Sequence, residues 1–358
     1  MQDTKPILVL QTAFLGDVIL SIPLLKRLRL KKPRAPIYLI VRKGLGHFLK
    51  ELGLIDFYFE IEKGNTETYS QLAKKLASVD FDWLVCPHPS LRSALLVNSL
   101  KAKVKMAYRD WWNSFFFTDR TEKQNDWPEA LRQLSLIKCV DLELFNLLRN
   151  PNLSELNNSS NEGMLPEIPK WAELSCREKI VSWPDPFLLK APYICIFPGS
   201  VWPTKMWTQE GFRQLGLLWI ARGYEVLWMG GGDEIALARE LEQSVPGSRS
   251  FCGKTSITHS LSLLSRAALA VSNDSGGQHL AAVAGTPVVG IFGPTVPEMG
   301  FRPWTSKAAI AEYKGLSCRP CGRHGHKKCP IGTHDCMKGV SAETVLQLGL
   351  KIIKSPLS

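Results

Sequence analysis

The sequence predicts an α/β protein made of two doubly wound, Rossmann-like domains facing each other across a cleft. Three observations predict it. Short apolar, β-branched runs alternate with amphipathic stretches, the rhythm of parallel strands joined by helices on both sheet faces. The rhythm lapses between about Asn146 and Lys170 and then resumes, which divides the 358 residues into two stretches of domain size. Several strand-like runs also end in loops rich in Gly, Ser or Asp, the place where open α/β sheets hold ligands.

The first element is "ILVLQTAFLGDVILSIP", residues 7–23. A buried strand ends, the chain turns at Phe14-Leu15-Gly16, and Asp17 follows the turn. Pro23 falls in the interior of any helix begun at Asp17. Either that helix is distorted, or it begins near Ser21 and Asp17 stays in the loop. Both leave the carboxylate near the cleft; a plain helix cap is the competing role. The turn has no G-x-G-x-x-G, which argues against NAD or FAD in this domain. "APIYLIV", a helix around Gly46–Leu52, "DFDWLVCP" and the helical "SLRSALLVNSL" continue the alternation. The lapse, "NLLRNPNLSELNNSSNEGMLPEIPK", is polar, Asn/Ser/Pro-rich and weakly periodic, and reads as a linker or exposed excursion. The expected domains are residues 1–175, 176–340, and a C-terminal helix in 341–358 whose Val345, Leu348 and Ile352 could pack on either domain.

Three loops of the second half suit a diphosphate. "SNDSGGQHLA", residues 272–281, joins a strand to a helix. Asp274 or Ser275 can cap that helix, Gly276 and Gly277 allow close backbone approach, and the helix N-terminus favours an anion. A well-capped helix without a ligand has the same composition, and His279 reads as a packing residue. "MGGGDE", residues 229–234, places Glu234 where it can bond ribose hydroxyls, although a tight turn looks alike. "FPGSVWPTKMW" sets Ser200, Thr204 and Lys205 after a third strand, the lysine in reach of phosphates.

The net charge of +11 is uneven. Residues 26–34, "KRLRLKKPR", carry six positive charges and no acid, and residues 302–358 hold ten Lys/Arg against three Asp/Glu. Such patches suit an anionic partner or a solvated face. No recognised nucleic-acid-binding motif is present, so no nucleic acid is expected as partner. No apolar run is long enough to span a membrane and no signal peptide is read at the N-terminus, so the expected location is cytoplasmic. Nine cysteines include a C-x2-C-x7-C-x6-C set at Cys318, Cys321, Cys329 and Cys336. Structural zinc, reduced packing thiols and a disulfide are all compatible with it; no metal site is assigned.

Gly16-Asp17 followed by Pro23, the Lys205-x-Trp207 loop, "SNDSGGQHLAA" and "GIFGPT" together resemble the ADP-heptose:lipopolysaccharide heptosyltransferases, GT-B glycosyltransferases of Gram-negative bacteria. The resemblance covers nearly the whole chain. "CRPCGRHGHKKCPIGTHDCM" resembles the cysteine-containing segment of the heptosyltransferase II type. The resemblance implies a GT-B fold and an inverting transfer of heptose from ADP-heptose to the phosphorylated inner core of lipopolysaccharide, without metal or other cofactor. It implies Asp17 as catalytic base and Lys205 on the phosphates. It further implies Asp274, Ser275, Gly276 and Gly277 on the sugar and diphosphate, and Arg92 and Arg120, more loosely, on the acceptor side. Gly277 departs from the family, which usually carries a bulky apolar residue there. The acceptor lies at the inner leaflet, so the expected location becomes peripheral, at the inner face of the inner membrane. "KRLRLKKPR" and the run "YRDWWNSFFFTDR" are candidates to rest there; core packing competes for the aromatics. The alternatives are a GT-B transferase using another nucleotide sugar, or a non-catalytic nucleotide-sugar-binding protein that needs no Asp17.

Overall fold

Each half of the chain winds a six-stranded parallel sheet in the same order. A computed structural model describes residues 4–62, 65–184, 187, 189 and 192–354. Residues 1–3, Ala191 and residues 355–358, each part of an expected element, lie outside these. The first sheet contains β1 (Ile7–Gln11), β2 (Ile37–Arg42), β3 (Phe57–Ile61), β4 (Asp80–Cys86), β5 (Lys101–Tyr108) and β6 (Asp119–Thr121). Its spatial order is β3-β2-β1-β4-β5-β6. The second contains β7 (Tyr193–Phe197), β8 (Glu225–Trp228), β9 (Ser248–Ser250), β10 (Leu269–Asn273), β11 (Val288–Phe292) and β12 (Ala308–Glu312). Its order is β12-β11-β10-β7-β8-β9, the same winding. β1, β7, β10 and β11 are buried at every residue, which is why they read as unbroken apolar runs rather than alternating ones. The order reverses beside β1 and beside β7, and the loops leaving those strands open at the switch points where such sheets bind ligands.

Pro23 acts as the sequence suggests, but in two steps. A short helix, Leu15–Leu20, ends at Ser21, and a second, Ile22–Lys31, begins with Pro23 in its first turn, where the missing N–H costs nothing. Asp17 therefore sits in the first turn of a six-residue helix, not in a loop. The N-cap residue, Phe14, offers no side-chain cap, but the Asp17 carboxylate accepts from the backbone N–H groups of Phe14 and of Asp17 itself, so it takes part in capping its own helix.

Two expectations need correction in detail. The stretch around 146–170, read as a linker or exposed excursion, does contain the division between the units, but from Ser154 onward it is bound to the second of them rather than free. The chain divides into compact units Met1–Leu153 and Ser154–Ser358, so residues 154–175, expected with the first domain, pack with the second. There Met164 bridges Ala309 antiparallel, Ile310 N donates to Gly163 O at 2.7 Å, and Leu165 N to Ala308 O at 3.2 Å. This strap closes the outer edge of β12, which would otherwise offer unpaired backbone groups. Gly163 takes φ +78°, and a Cβ there would collide with Ile310 O, so only glycine fits. Buried Arg302 donates to Leu156 O and, at 3.0 Å, to Pro166 O, and Trp304 Nε1 reaches Ala172 O at 2.8 Å. Because the strap is held through backbone groups, its side chains show no apolar period. The C-terminal helix, Ala342–Lys354, packs in this same unit through Val345, Leu346, Leu348 and Ile352 beside Trp219 and Leu269.

The basic run at 26–34, read as suiting an anionic partner or a solvated face, carries less free charge than its sequence suggests. At least four of its six cations are paired within the first unit. Arg27 lies 2.5 Å from Asp141 and 2.8 Å from Glu143, Lys31 lies 3.0 Å from Asp141, Arg29 lies 2.6 Å from Asp56, and Lys32 pairs with Asp82. The acids that answer this run come from far along the sequence, so local charge counting overstates its field. The aromatic run divides. Trp112, Phe116 and Phe117 pack on the core of the first unit, whereas Trp111 and Phe115 are 91% and 90% exposed. Among the described residues no helix is long and apolar enough to cross a membrane.

Candidate active site

In the first unit the site grows around Asp17, just beyond β1. Burial, then the like charge of Glu129, raise its pKa to about 6, against a smaller opposing effect of Lys123. Glu129 belongs to the buried helix Glu129–Leu134. The neighbouring Gln133 ties the assembly together. Its Nε2 donates to Asp17 O at 3.1 Å and to Glu129 Oε1 at 3.3 Å, while its Oε1 accepts from Gln11 Nε2, at the end of β1, at 3.0 Å. Arg132 Nη1 donates to Glu129 Oε2 at 3.0 Å, and Lys123 Nζ lies 3.8 Å from the same oxygen and 5.1 Å over the Tyr108 ring. Tyr108, the last residue of β5, is 5% exposed, and its hydroxyl has no hydrogen-bond partner among the described residues.

The two expected acceptor-side arginines stand on the same unit. Arg92 is exposed on the helix Leu91–Ser99. Its charge acts on Tyr69, whose hydroxyl bonds Thr12, the residue that follows β1. Arg120 is half-buried in β6, paired in register with Ala107.

In the second unit Lys205 and Asp274 form a buried ion pair, Nζ to Oδ2 2.6 Å. Lys205 ends the single turn Pro203–Lys205 after β7, and Asp274 follows β10. Thr295 Oγ1 donates to Asp274 Oδ2 at 2.7 Å and Gln278 Nε2 to Oδ1 at 3.1 Å. The Asp274 carboxylate is thus drawn towards Lys205 and does not cap the helix Gly276–Val283. Ser275 stands at the cap position without a side-chain bond, its hydroxyl 3.3 Å from that of Ser272. The first turn of that helix keeps its amides for another acceptor. A Cβ on Gly277 would collide with the Phe197 ring, so Phe197 fills the space that a larger residue at 277 would claim. Asn273 fixes the loop from inside, accepting from Trp207 N at 2.9 Å and donating to Pro198 O at 2.8 Å.

Glu234 lies against Gly199 and accepts from Gly231 N at 2.8 Å, bracing the two loops after β7 and β8. Ser200 Oγ accepts from Trp202 N at 3.3 Å within the loop that carries Lys205. The Thr204 hydroxyl is held at both ends by the His326 backbone, donating to its O at 2.8 Å and accepting from its N at 2.7 Å. His279, in the helix after Asp274, is buried; burial lowers its pKa to about 4, keeping it neutral beside the ion pair.

The cysteine-rich segment is a wall of this half-site. A His334 ring nitrogen lies 2.8 Å from Thr204 O, and the His324 ring stacks on Trp202, centroids 6.2 Å apart. It holds the Lys205 turn from outside the sheet. Its four cysteines are free thiols, with burial pushing Cys336 up to about 11 and backbone N–H groups, that of His334 foremost, lowering Cys329. Among the described residues, no group of three or more His, Cys, Asp or Glu side chains is placed to hold a metal ion.

Sequence reasoning missed Glu129, Gln133, Lys123 and Tyr108 in the first unit and Thr295 and Gln278 in the second. For Glu129 and Gln133 a signal existed: "PEALRQL" sets them four apart, on one helical face. That this face turns inward towards Asp17 depends on where the helix lands.

The family model described as glycosyltransferase family 9 (heptosyltransferase) matches residues 69–331. Lipooligosaccharide heptosyltransferase 2 of Haemophilus influenzae is 23% identical over 318 residues, 85% of this chain and 87% of the relative. Among solved structures, the glycosyl transferase family 9 protein of Veillonella parvula superposes with a TM-score of 0.75 at 20% identity, over 99% of this chain and 98% of that one. The ADP-heptose lps heptosyltransferase II of E. coli gives 0.73 at 21% identity, over 97% and 98%. At these identities the likeness carries the fold, and both folds are of the GT-B kind that the resemblance implied.

Proposed function

Because the chain belongs to glycosyltransferase family 9, the heptosyltransferases, we propose that it transfers heptose from ADP-heptose to a heptose of the lipopolysaccharide inner core, as heptosyltransferase II does. The observation that carries the mechanism is the placement of the Asp17 carboxylate, half-buried beyond β1 and within the field of Glu129, a placement that raises its pKa to about 6. Such a carboxylate is ionised at neutral pH yet far more basic than a solvated aspartate near ~3.9, which suits a general base. Asp17 takes the proton of the attacking acceptor hydroxyl. Attack on the face opposite ADP inverts the anomeric centre through an oxocarbenium-like state. Charge growing on the leaving diphosphate is met by Lys205 and the amides of Ser275, Gly276 and Gly277, fixed donors that need no reorganisation. Ser200, Thr204 and Glu234 shape that donor half-site, Glu234 on the ribose; Arg92 and Arg120 serve the anionic acceptor.

The test is transfer from ADP-heptose to heptose-deficient lipopolysaccharide by the purified chain, beside a panel of other nucleotide sugars. The expected result is a heptose-extended product and one ADP released per transfer. Transfer from another nucleotide sugar in preference would replace the donor, and nucleotide-sugar binding with no transfer would reduce the chain to a binding protein.

The same reading puts the chain at the surface of the membrane that displays its acceptor, the inner face of the inner membrane. Trp111 and Phe115 support this, since two large rings left wholly in solvent suit insertion between headgroups. Their joint replacement by Ser is expected to weaken binding to anionic phospholipid vesicles by roughly tenfold or more. Unchanged vesicle binding removes them from the contact.

A further inference from the structure

We propose that Glu129 and Lys123 are positioning residues of opposite sign that together set the pH range over which Asp17 takes a proton. The proposal rests on the reading of Asp17 as the base and adds what governs it.

Geometry fixes the arrangement. Gln133 donates both to the backbone of Asp17 and to the Glu129 carboxylate, at 3.1 and 3.3 Å, and is itself anchored to β1 through Gln11 at 3.0 Å. Glu129 therefore cannot turn away from Asp17 without giving up its bond from the same Gln133 nitrogen that holds the helix of Asp17. Arg132, bound to Gln124 O at 2.9 Å, pins the other carboxylate oxygen at 3.0 Å. A carboxylate this buried is costly to keep, and an ion pair with Arg132 could be replaced by apolar side chains at little loss of stability. What apolar side chains could not supply is a fixed negative charge beside Asp17. Lys123, half in solvent, stands 3.8 Å from Glu129 and tempers that charge.

The charged and titratable groups that face Asp17 are few. Glu129 and Arg132 come from the helix Glu129–Leu134, Lys123 from the loop before it, and the Tyr108 phenol from the end of β5. The helix of Asp17 carries no other ionisable side chain; of the next helix, Arg27 and Lys31 are turned to Asp141 and Glu143 and Arg29 to Asp56, and neither these nor Lys26 are among the charges that shift Asp17. Burial and Glu129 push the Asp17 pKa up while Lys123 pulls it down, so the two neighbours give shifts of opposite sign when removed.

The experiment compares wild type with Glu129→Gln, Glu129→Asp and Lys123→Gln. It records the pH dependence of kcat/KM for heptose transfer and the titration of the Asp17 carboxyl carbon by NMR. Glu129→Gln is expected to move both the acid limb and the carboxyl titration down by about half a pH unit to one unit, because burial supplies the larger share. Lys123→Gln moves both up, and Glu129→Asp, keeping the charge, restores them towards wild type. A folded Glu129→Gln protein that is slower at every pH with neither midpoint moved shows a merely structural role and overturns the proposal. If Glu129→Gln fails to fold, an unmoved midpoint in Lys123→Gln, on the half-exposed partner, overturns it as well. A carboxyl titration that moves while the acid limb stays still removes Asp17 as the base, and the claim on working pH falls with it.

Discussion

Asp17→Asn is expected to lower kcat for heptose transfer by about 10^3-fold, within the range that a positioned general base contributes, while ADP binds as it does to wild type. The substitution keeps the size of the side chain and leaves the second unit untouched, where Lys205 and Asp274 hold their own pair at 2.6 Å. Isothermal titration with ADP and single-turnover transfer separate the two effects. An Asn variant that transfers at the wild-type rate ends the assignment of the base.

The same substitution has a second expected result with a defined pH window. The folded-state pKa of Asp17, about 6, lies above the ordinary carboxylate value, so the folded chain binds this proton more tightly than the unfolded chain does. Below about pH 4 both states hold the proton and the side chain costs nothing. Between about pH 4 and pH 6 the unfolded state releases it first, and stability falls as pH rises. Above that the penalty is constant, about 1–2 kcal/mol once partial exposure is discounted. Asp17→Asn is therefore expected to be more stable than wild type at pH 7.5 and equal to it at pH 4, measured by urea unfolding. A group kept for catalysis against its own folding preference behaves this way.

How far the sequence could reveal this site depended on what kind of contact makes it. The proposed donor half was legible as local structure: "SNDSGG" is a strand, a loop and a helix start in one stretch, and Lys205 ends another such loop, the two meeting in the Lys205–Asp274 pair. Asp17 was legible for the same reason, through the turn after β1 and the proline that breaks the helix behind it. The surroundings of Asp17 were not, because Glu129, Gln133 and Lys123 arrive more than a hundred residues later and meet it only through the winding of the sheet. The same cause misled the charge reading: Asp141 and Glu143 answer Arg27 and Lys31 from the other end of the unit. The stretch after Ser154 failed differently. It pairs through backbone groups along β12 and so carries no periodic apolar signal to read.

Lys205→Ala is expected to weaken ADP binding by roughly 100-fold, about 2.7 kcal/mol, and also to destabilise the chain by about 3 kcal/mol, because Asp274 is left buried without its cation. The two losses have different origins, and a second substitution separates them. In Lys205→Ala with Asp274→Asn no buried charge is stranded; the amide oxygen still accepts from Gln278 Nε2, and the amide NH2 in place of Oδ2 donates to the Thr295 hydroxyl, which can turn to accept. Stability is expected to return to within about 1 kcal/mol of wild type, the signature of two residues coupled in one network. ADP affinity is not expected to return, because the missing positive charge was the ligand's partner as well as that of Asp274. ADP is the right probe here, since it lacks the sugar that Asp274 is assigned to hold. If affinity recovers together with stability, Lys205 works only by keeping Asp274 folded in place, and the contact with the leaving diphosphate belongs to the helix amides alone.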